Sequence, residues 1–275
     1  MPKKQMLKSP TNEYEILKLI GNPDEFRLYL CRLQEGRNYI LKVATTVEHN
    51  PLLDREAFIL NEMRTEAARL EEEYARIKKN SEEFLNYQLC FPDLVETFPA
   101  PSQGNRKVNI LGFPAVEDMG KLVPIRHLVS RDRVRVDRKT SAWMMGKLLK
   151  ILVFAHSQDI SLGEVTGFNI LIERDEHYVV VFDLTSAEIC AGGVPEDVTR
   201  EEISRGAKEI ILALGGDAKK LPEDNEQDPD NQYGKHLYAL ADGSESNAKK
   251  AHEKFYSLVR SMWPRAYWPY TAYDL

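Results

Sequence analysis

Leu152–Ile172 reads LVFAHSQDISLGEVTGFNILI. An apolar run gives way to a polar stretch holding Gly163, Glu164 and Asn169, and a second apolar run follows. The residues on either side decide what this stretch connects. TSAWMMGKLLKILVFAHSQ (140–158) has no proline and is apolar nearly all round, which predicts a buried helix. FNILIE (168–173) and YVVVFDL (178–184) flank Arg174-Asp175-Glu176-His177 and predict a hairpin. The polar stretch therefore joins a helix to a hairpin, with Asn169 at the start of one strand and Asp183 at the end of the other.

Working upstream, YEILKLIG, EFRLYLCRL and EGRNYILKVA between residues 14 and 44 predict three antiparallel strands, with a turn at Glu35-Gly36-Arg37-Asn38. From Asp54 the chain is rich in Ala, Leu, Glu, Lys and Arg. It repeats apolar residues at helical spacing (Phe58, Ile59, Met63, Ala67, Leu70, Tyr74, Ile77), so a long helix is expected, reaching the region of Asn80-Ser81. FPDLVETFPAP (91–101) and KVNILGFPAVEDM (107–119) add two strands. Downstream, TREEISRGAKEIILALGG (199–216) predicts a helix with Thr199 as N-cap, Glu202 at capping-box distance and a glycine stop. Residues 217–235 are acidic and poor in apolar residues and predict a loop. Asp228 and Asp230 faintly resemble a calcium loop there, but no glutamate follows Asp230 at the required distance. NAKKAHEKFYSLVRSM (247–262) predicts a last helix before an aromatic tail, WPRAYWPYTAYDL, whose side chains are expected to pack on the helical part. The order is that of an α+β chain with a small antiparallel-sheet lobe (14–117), a larger mainly helical lobe (118–275) and an extension at 1–13. A cleft between lobes is the default ligand site for such a chain.

The 275 residues, 43% hydrophobic, suffice for one large domain or two lobes. A net charge of -6 gives no bulk attraction to nucleic acid or to an anionic membrane, and neither is expected as a partner. Cys31, Cys90 and Cys190 match neither a metal spacing nor a disulfide framework and suit a reducing, cytoplasmic setting. No stretch approaches the roughly 18 apolar residues of a membrane span, and no secretory leader is recognisable. The histidines form no ligand-spaced pair.

Four polar residues stand beside apolar runs: Lys42 in YILKVA, Glu56 in REAFIL, Asn169 in FNILI and Asp183 in VVVFDLT. Singly, each suits an ordinary role, such as a snorkelling lysine, a glutamate near a helix start, or an Asn or Asp in a turn. Together they suit phosphate chemistry: a lysine for phosphates, a carboxylate to hold the lysine, and two oxygen ligands for a hard cation.

In these segments the chain resembles the protein kinase family over roughly residues 14–215, and more weakly to about 263. The resemblance makes Lys42 the phosphate-pairing lysine and Glu56 its partner on the C-helix. Glu164 becomes the loop acid, Asn169 a metal ligand and Asp183 the magnesium aspartate. It places Gly21, Leu28, Ile40 and Leu171 around the nucleotide, and it implies ATP and Mg²⁺ as cofactors. Leu162-Gly163-Glu164 stands where the family has H-R-D, and its glycine is similar to the H-G-D of aminoglycoside phosphotransferases.

The departures are specific. Of G-x-G-x-x-G only Gly21 remains in IGNPDEFRLYL, where Pro23 lacks a donor and Asp24 and Glu25 are acidic. Ile40 replaces a small residue beside the adenine position. Leucine replaces the loop histidine, glutamate replaces the loop aspartate, and Thr185 replaces the D-F-G glycine. About a dozen residues separate Asp183 from VPED (194–197), too few for the usual activation loop. Glu201, five before Gly206, takes the place of the family's helix-F aspartate. The expectation is a pseudokinase, or a very weak phosphotransferase, that acts by binding a protein partner. The alternative is an active atypical serine/threonine or small-molecule kinase with Glu164 as base.

Overall fold

The computed structural model describes residues 5–33, 36–78, 85–113, 116, 118–224, 226–264 and 268–275. Glu35 of the expected turn, the expected helix end at Asn80-Ser81 and Tyr267 of the aromatic tail lie outside the described residues. The chain divides into two compact units: Met1–Met119 with Leu184–Ser186, and Gly120–Asp183 with Ala187–Leu275.

The first unit is built on β1 (Gln5–Lys8), β2 (Glu13–Gly21), β3 (Phe26–Leu33), β4 (Asn38–Ala44), β5 (Asp93–Ala100) and β6 (Arg106–Gly112). They form one antiparallel sheet in the order β1-β2-β3-β4-β6-β5. The strand β1 lies in the segment expected to be an extension, and the last expected strand stops at Gly112 rather than running on to 119. Alternation puts Tyr14, Cys31, Tyr39, Leu41, Val43, Phe98, Val108 and Ile110 on one face, where they form a buried cluster with Leu7 of β1. The sheet curls to enclose them. Near the turn between its first strands, Thr11 and Tyr14 donate to Oε1 of Glu96 on β5, at 2.6 and 2.9 Å, and Asn12 donates to the same oxygen. Burial of Glu96 raises its pKa, but these hydrogen bonds outweigh that and hold the carboxyl below its ordinary value.

The opposite face of the sheet meets α1 (Asn50–Ile77). This helix begins four residues before the expected start because Pro51 suits its first turn. Leu53, Glu56, Ala57, Leu60, Met63 and Ala67 form its buried stripe. Beyond Ala67 the helix is mostly exposed and laced by Arg69–Glu66, Arg69–Glu73 and Arg76–Glu72 pairs, which water screens.

The second unit contains β7 (Leu122–Pro124), α2 (Ile125–Ser130), β8 (Val134–Val136), α3 (Arg138–Ser157), β9 (Ile160–Ser161), β10 (Ile170–Glu173), β11 (Tyr178–Val181), β12 (Glu188–Ile189), α4 (Glu196–Ala213), α5 (Gln232–Ala241), α6 (Ala248–Met262) and β13 (Ala272–Asp274). Its core is α3, buried against α4 and α6. Helix α4 starts three residues earlier than Thr199, with Glu196 and Asp197 in its first turn. Thr199 is therefore a buried interior residue, not an N-cap. The acidic stretch is a loop only as far as Asn231 and then becomes α5. Buried Asp228 ends the loop by accepting from Tyr233 N and Gly234 N at 3.2 and 3.0 Å. The tail is stitched down: β13 pairs with β8, Trp263 packs on Tyr233, and Thr271 N donates to Thr140 Oγ1 at 2.9 Å. Among the described residues no helix is long and apolar enough to cross a membrane.

Candidate functional site

In the first unit the site is a transverse row across the sheet. Register sets Gly21 opposite Leu28, Leu28 opposite Lys42, Lys42 opposite Asn109, and Asn109 opposite Thr97. Lys42 and Glu56 are each fully buried, with Nζ 2.6 Å from Oε1. A buried ion pair persists only when its remaining polar atoms are also satisfied. Here Asn109 Nδ2 donates to Glu56 Oε2 at 3.0 Å and to Leu53 O at 2.9 Å, while its Oδ1 accepts from Thr97 Oγ1 at 2.7 Å. Leu184 N donates to Glu56 Oε1 at 3.2 Å, so the residue after Asp183 is tied to the helix carboxylate.

The Lys42 ammonium also lies 4.2 Å from the centroid of the Phe26 ring, a cation–π contact. Phe26 is buried among Ala44, Leu53, Leu28 and Leu52, so the ring is held there by packing. The loop before it is pinned as well. Thr45 Oγ1 donates to Asp24 O at 2.7 Å and to Glu25 O at 3.0 Å, and Thr45 N donates to Glu25 O at 2.9 Å. Ile40, also buried, pairs with Leu30 and Leu111 on the lysine's side of the strand.

In the second unit the loop from Leu162 to Asn169 is held from two sides. Gly163 has φ 71°, a left-handed conformation that glycine adopts without strain. Its N–H donates to Glu202 Oε1 at 2.8 Å and its carbonyl accepts from Arg205 Nη1 at 3.2 Å. Glu202 Oε2 lies 2.6 Å from His156 Nε2 on α3. The carboxylate that α4 sends to the loop is thus Glu202. Glu201 is 61% exposed and pairs with Arg205 at 2.5 Å, so it does not take the anchoring place expected of it.

Asn169 forms the second anchor. Its Nδ2 donates to Glu164 O at 2.7 Å and to Asp183 O at 2.9 Å, and its Oδ1 accepts from Asp183 N at 2.5 Å. Glu164 itself is exposed. Leu171 sits in mid-β10, opposite Val180 and Pro124.

No protein-family model matches the chain, and no curated protein matches it in sequence. Solved structures do match. The BubR1 kinase domain is 10% identical and aligns with a TM-score of 0.60 over 94% of this chain and 83% of its own. Vaccinia related kinase 3 is 13% identical, with a TM-score of 0.59 over 95% and 91% of the two chains. The chain has a protein-kinase-like fold. A PknI kinase domain of Mycobacterium tuberculosis aligns less closely, at 12% identity and a TM-score of 0.51, over 90% and 95%.

Against that kinase-like frame, the residues fit the cofactors the resemblance implies only in part. Lys42 and Glu56 form the expected pair. A phosphate approaching Lys42 would compete with the Phe26 ring for the ammonium. For Asn169 to ligate a metal in the usual way, its Oδ1 must turn from the Asp183 amide. Within the first unit the Lys42 ammonium is engaged by Glu56 and the Phe26 ring, and within the second the Asn169 amide is engaged by the backbone of Glu164 and Asp183. Sequence reasoning missed Phe26, Asn109, His156 and Glu202. Asn109 gave the same signal as Lys42, a polar residue inside an apolar strand (KVNIL). The other three became meaningful only when tertiary structure brought distant residues together.

Proposed function

We propose that this kinase-like chain acts chiefly by binding a protein partner, with phosphotransfer very weak or absent. The observation that carries the proposal is the enclosed Lys42: fully buried, paired with Glu56 and faced by the Phe26 ring. A nucleotide's phosphates would compete with that ring, so ATP and Mg²⁺ bind weakly. The engaged amide of Asn169 and the pinned, glycine-poor loop support the same conclusion. None of the three cysteines is in a disulfide among the described residues, which accords with a cytoplasmic setting.

One observation favours the alternative of an active atypical kinase. Glu164 is exposed on a loop fixed by Asn169 on one side and Glu202 on the other, so its carboxylate is open to a hydroxyl substrate. Thermal shift with millimolar ATP, with and without Mg²⁺, tests both, because a ligand of the folded state raises its apparent stability. The proposal expects a small shift or none, with no transfer of radiolabelled phosphate to protein or small-molecule acceptors. A large Mg²⁺-dependent shift lost in Lys42→Met and Asp183→Asn, together with transfer lost in Glu164→Gln, establishes the active kinase instead.

A further inference from the structure

The second unit carries a groove of about 260 Å³ that belongs to none of the machinery above. Helices α3 and α6 and the tail form it. Its floor and walls are apolar or aromatic: Trp143, Phe255, Val259 and Trp268. Its cationic residues are Lys147, Lys150 and Arg260, and no aspartate or glutamate lines it among the described residues. Arg260 donates to the Tyr256 hydroxyl at 2.8 Å through Nε and lies 5.0 Å over the Tyr256 ring. Burial, and after it the charge of Lys150, holds His252 below its ordinary pKa, so this ring favours its neutral form and the groove's positive charge comes from the lysines and Arg260. Trp143, one of the lining residues, also carries a buried indole Nε1 for which no hydrogen-bond partner is found among the described residues.

We propose that this groove docks a protein segment in which an apolar side chain is flanked by acidic residues. The groove offers donors and positive charge around an apolar floor and lacks carboxylates, in a chain whose net charge is -6. Its complement is an anion or acceptor next to an apolar anchor. At about 260 Å³ the groove takes one or two side chains, as the anchor of a docked segment requires. Binding energy at such a site concentrates in the anchor residue, and flanking charges govern encounter and partner choice.

The proposal rests on the partner-binding role above, but the two fail separately. Nucleotide shift and phosphate transfer judge that role, and the following titration judges the groove. The probes are a fluorescein-labelled peptide, Glu-Asp-Glu-Phe-Leu-Glu-Asp-Glu, a version with alanine for Phe-Leu, a version with lysine for every acid, and sodium laurate. The full chain is titrated by anisotropy and by ¹⁵N spectra of the three indole N–H groups. The first peptide is expected to bind and to move the Trp143 indole signal downfield, with both changed peptides at least roughly tenfold weaker. Lys147→Glu with Lys150→Glu is expected to weaken the first peptide by roughly tenfold or more and to bring the lysine peptide into binding. Both positions are partly exposed, and the melting temperature of the double variant is measured beside that of the natural chain so that weakened binding is read on folded protein. No binding of the first peptide at millimolar concentration overturns the proposal. Equal binding to the double variant does so too, as does binding of laurate alone.

Discussion

Phe26→Leu is expected to convert the enclosed lysine into one that phosphates can reach. The Phe26 ring is 4.2 Å from the Lys42 ammonium, and neither residue is more than 4% exposed. A desolvated cation–π contact is worth about 2 kcal/mol. An anion that takes the ammonium must offset that amount first, so removing the ring should tighten nucleotide binding by up to about 30-fold. Leucine keeps apolar contact with Ala44 and Leu53, so the stability cost should be about the 2 kcal/mol of the lost ring contact plus a small cavity term. Isothermal titration with ATP up to about ten millimolar, with and without Mg²⁺, measures the gain. Phe26→Leu combined with Lys42→Met supplies the control. Affinity unchanged from the natural chain refutes the reasoning. So does a gain that survives in the Lys42→Met background, because the ring would then be blocking something other than the lysine.

Glu56→Ala should destabilise the chain by about 3–5 kcal/mol in urea unfolding, since it removes one member of a buried ion pair; Lys42→Met paired with Glu56→Leu should recover most of that loss. Asn169→Ala removes three hydrogen bonds to the backbone and should cost about 1–3 kcal/mol. It should speed hydrogen exchange at the Asp183 amide, and unchanged exchange would contradict the anchoring role. Glu96 has a folded pKa below its unfolded value, so its contribution is present above the unfolded carboxyl range and lost as pH falls through the folded pKa. Glu96→Gln should therefore flatten the acid side of the stability–pH curve, and an identical acid limb counts against the Glu96 cluster as the clasp of the sheet. Burial pushes the Cys31 thiol up to about 12, so iodoacetamide at pH 8 should label the partly exposed Cys190 first and leave Cys31 unmodified until the chain unfolds.

Much of the fold was legible because period carries it. The alternation of YILKVA and the helical spacing after Asp54 locate β4 and α1 to within a few residues. The misplaced start of α4 has a local cause. Thr199 looks like a cap, but Pro195 followed by Glu196 and Asp197 is the stronger start signal. Short elements such as β7 and α2 have too few residues to show a period. Of the candidate site, Lys42, Glu56, Asn169 and Asp183 stand out in the sequence, because their apolar contexts make a polar residue conspicuous. Glu202 does not stand out. There, two adjacent glutamates have the same sequence appearance, and only the phase of the helix decides which faces the loop. Phe26 was hidden for the opposite reason: a phenylalanine in a strand needs no explanation until a cation is found beneath it.

The three bonds of the Asn169 amide have a consequence for signalling. A switch needs two states of comparable free energy and a ligand that prefers one of them. Here the loop and the segment at Asp183 are joined by the chain's own side chain, where a kinase relies on an ion and a nucleotide. On the proposed partner-binding role, a surface shaped by that loop would look the same whether cellular ATP rose or fell. A protein that recognises it would be counting copies of this chain rather than sensing their occupancy, and the response would track synthesis and degradation rather than energy charge.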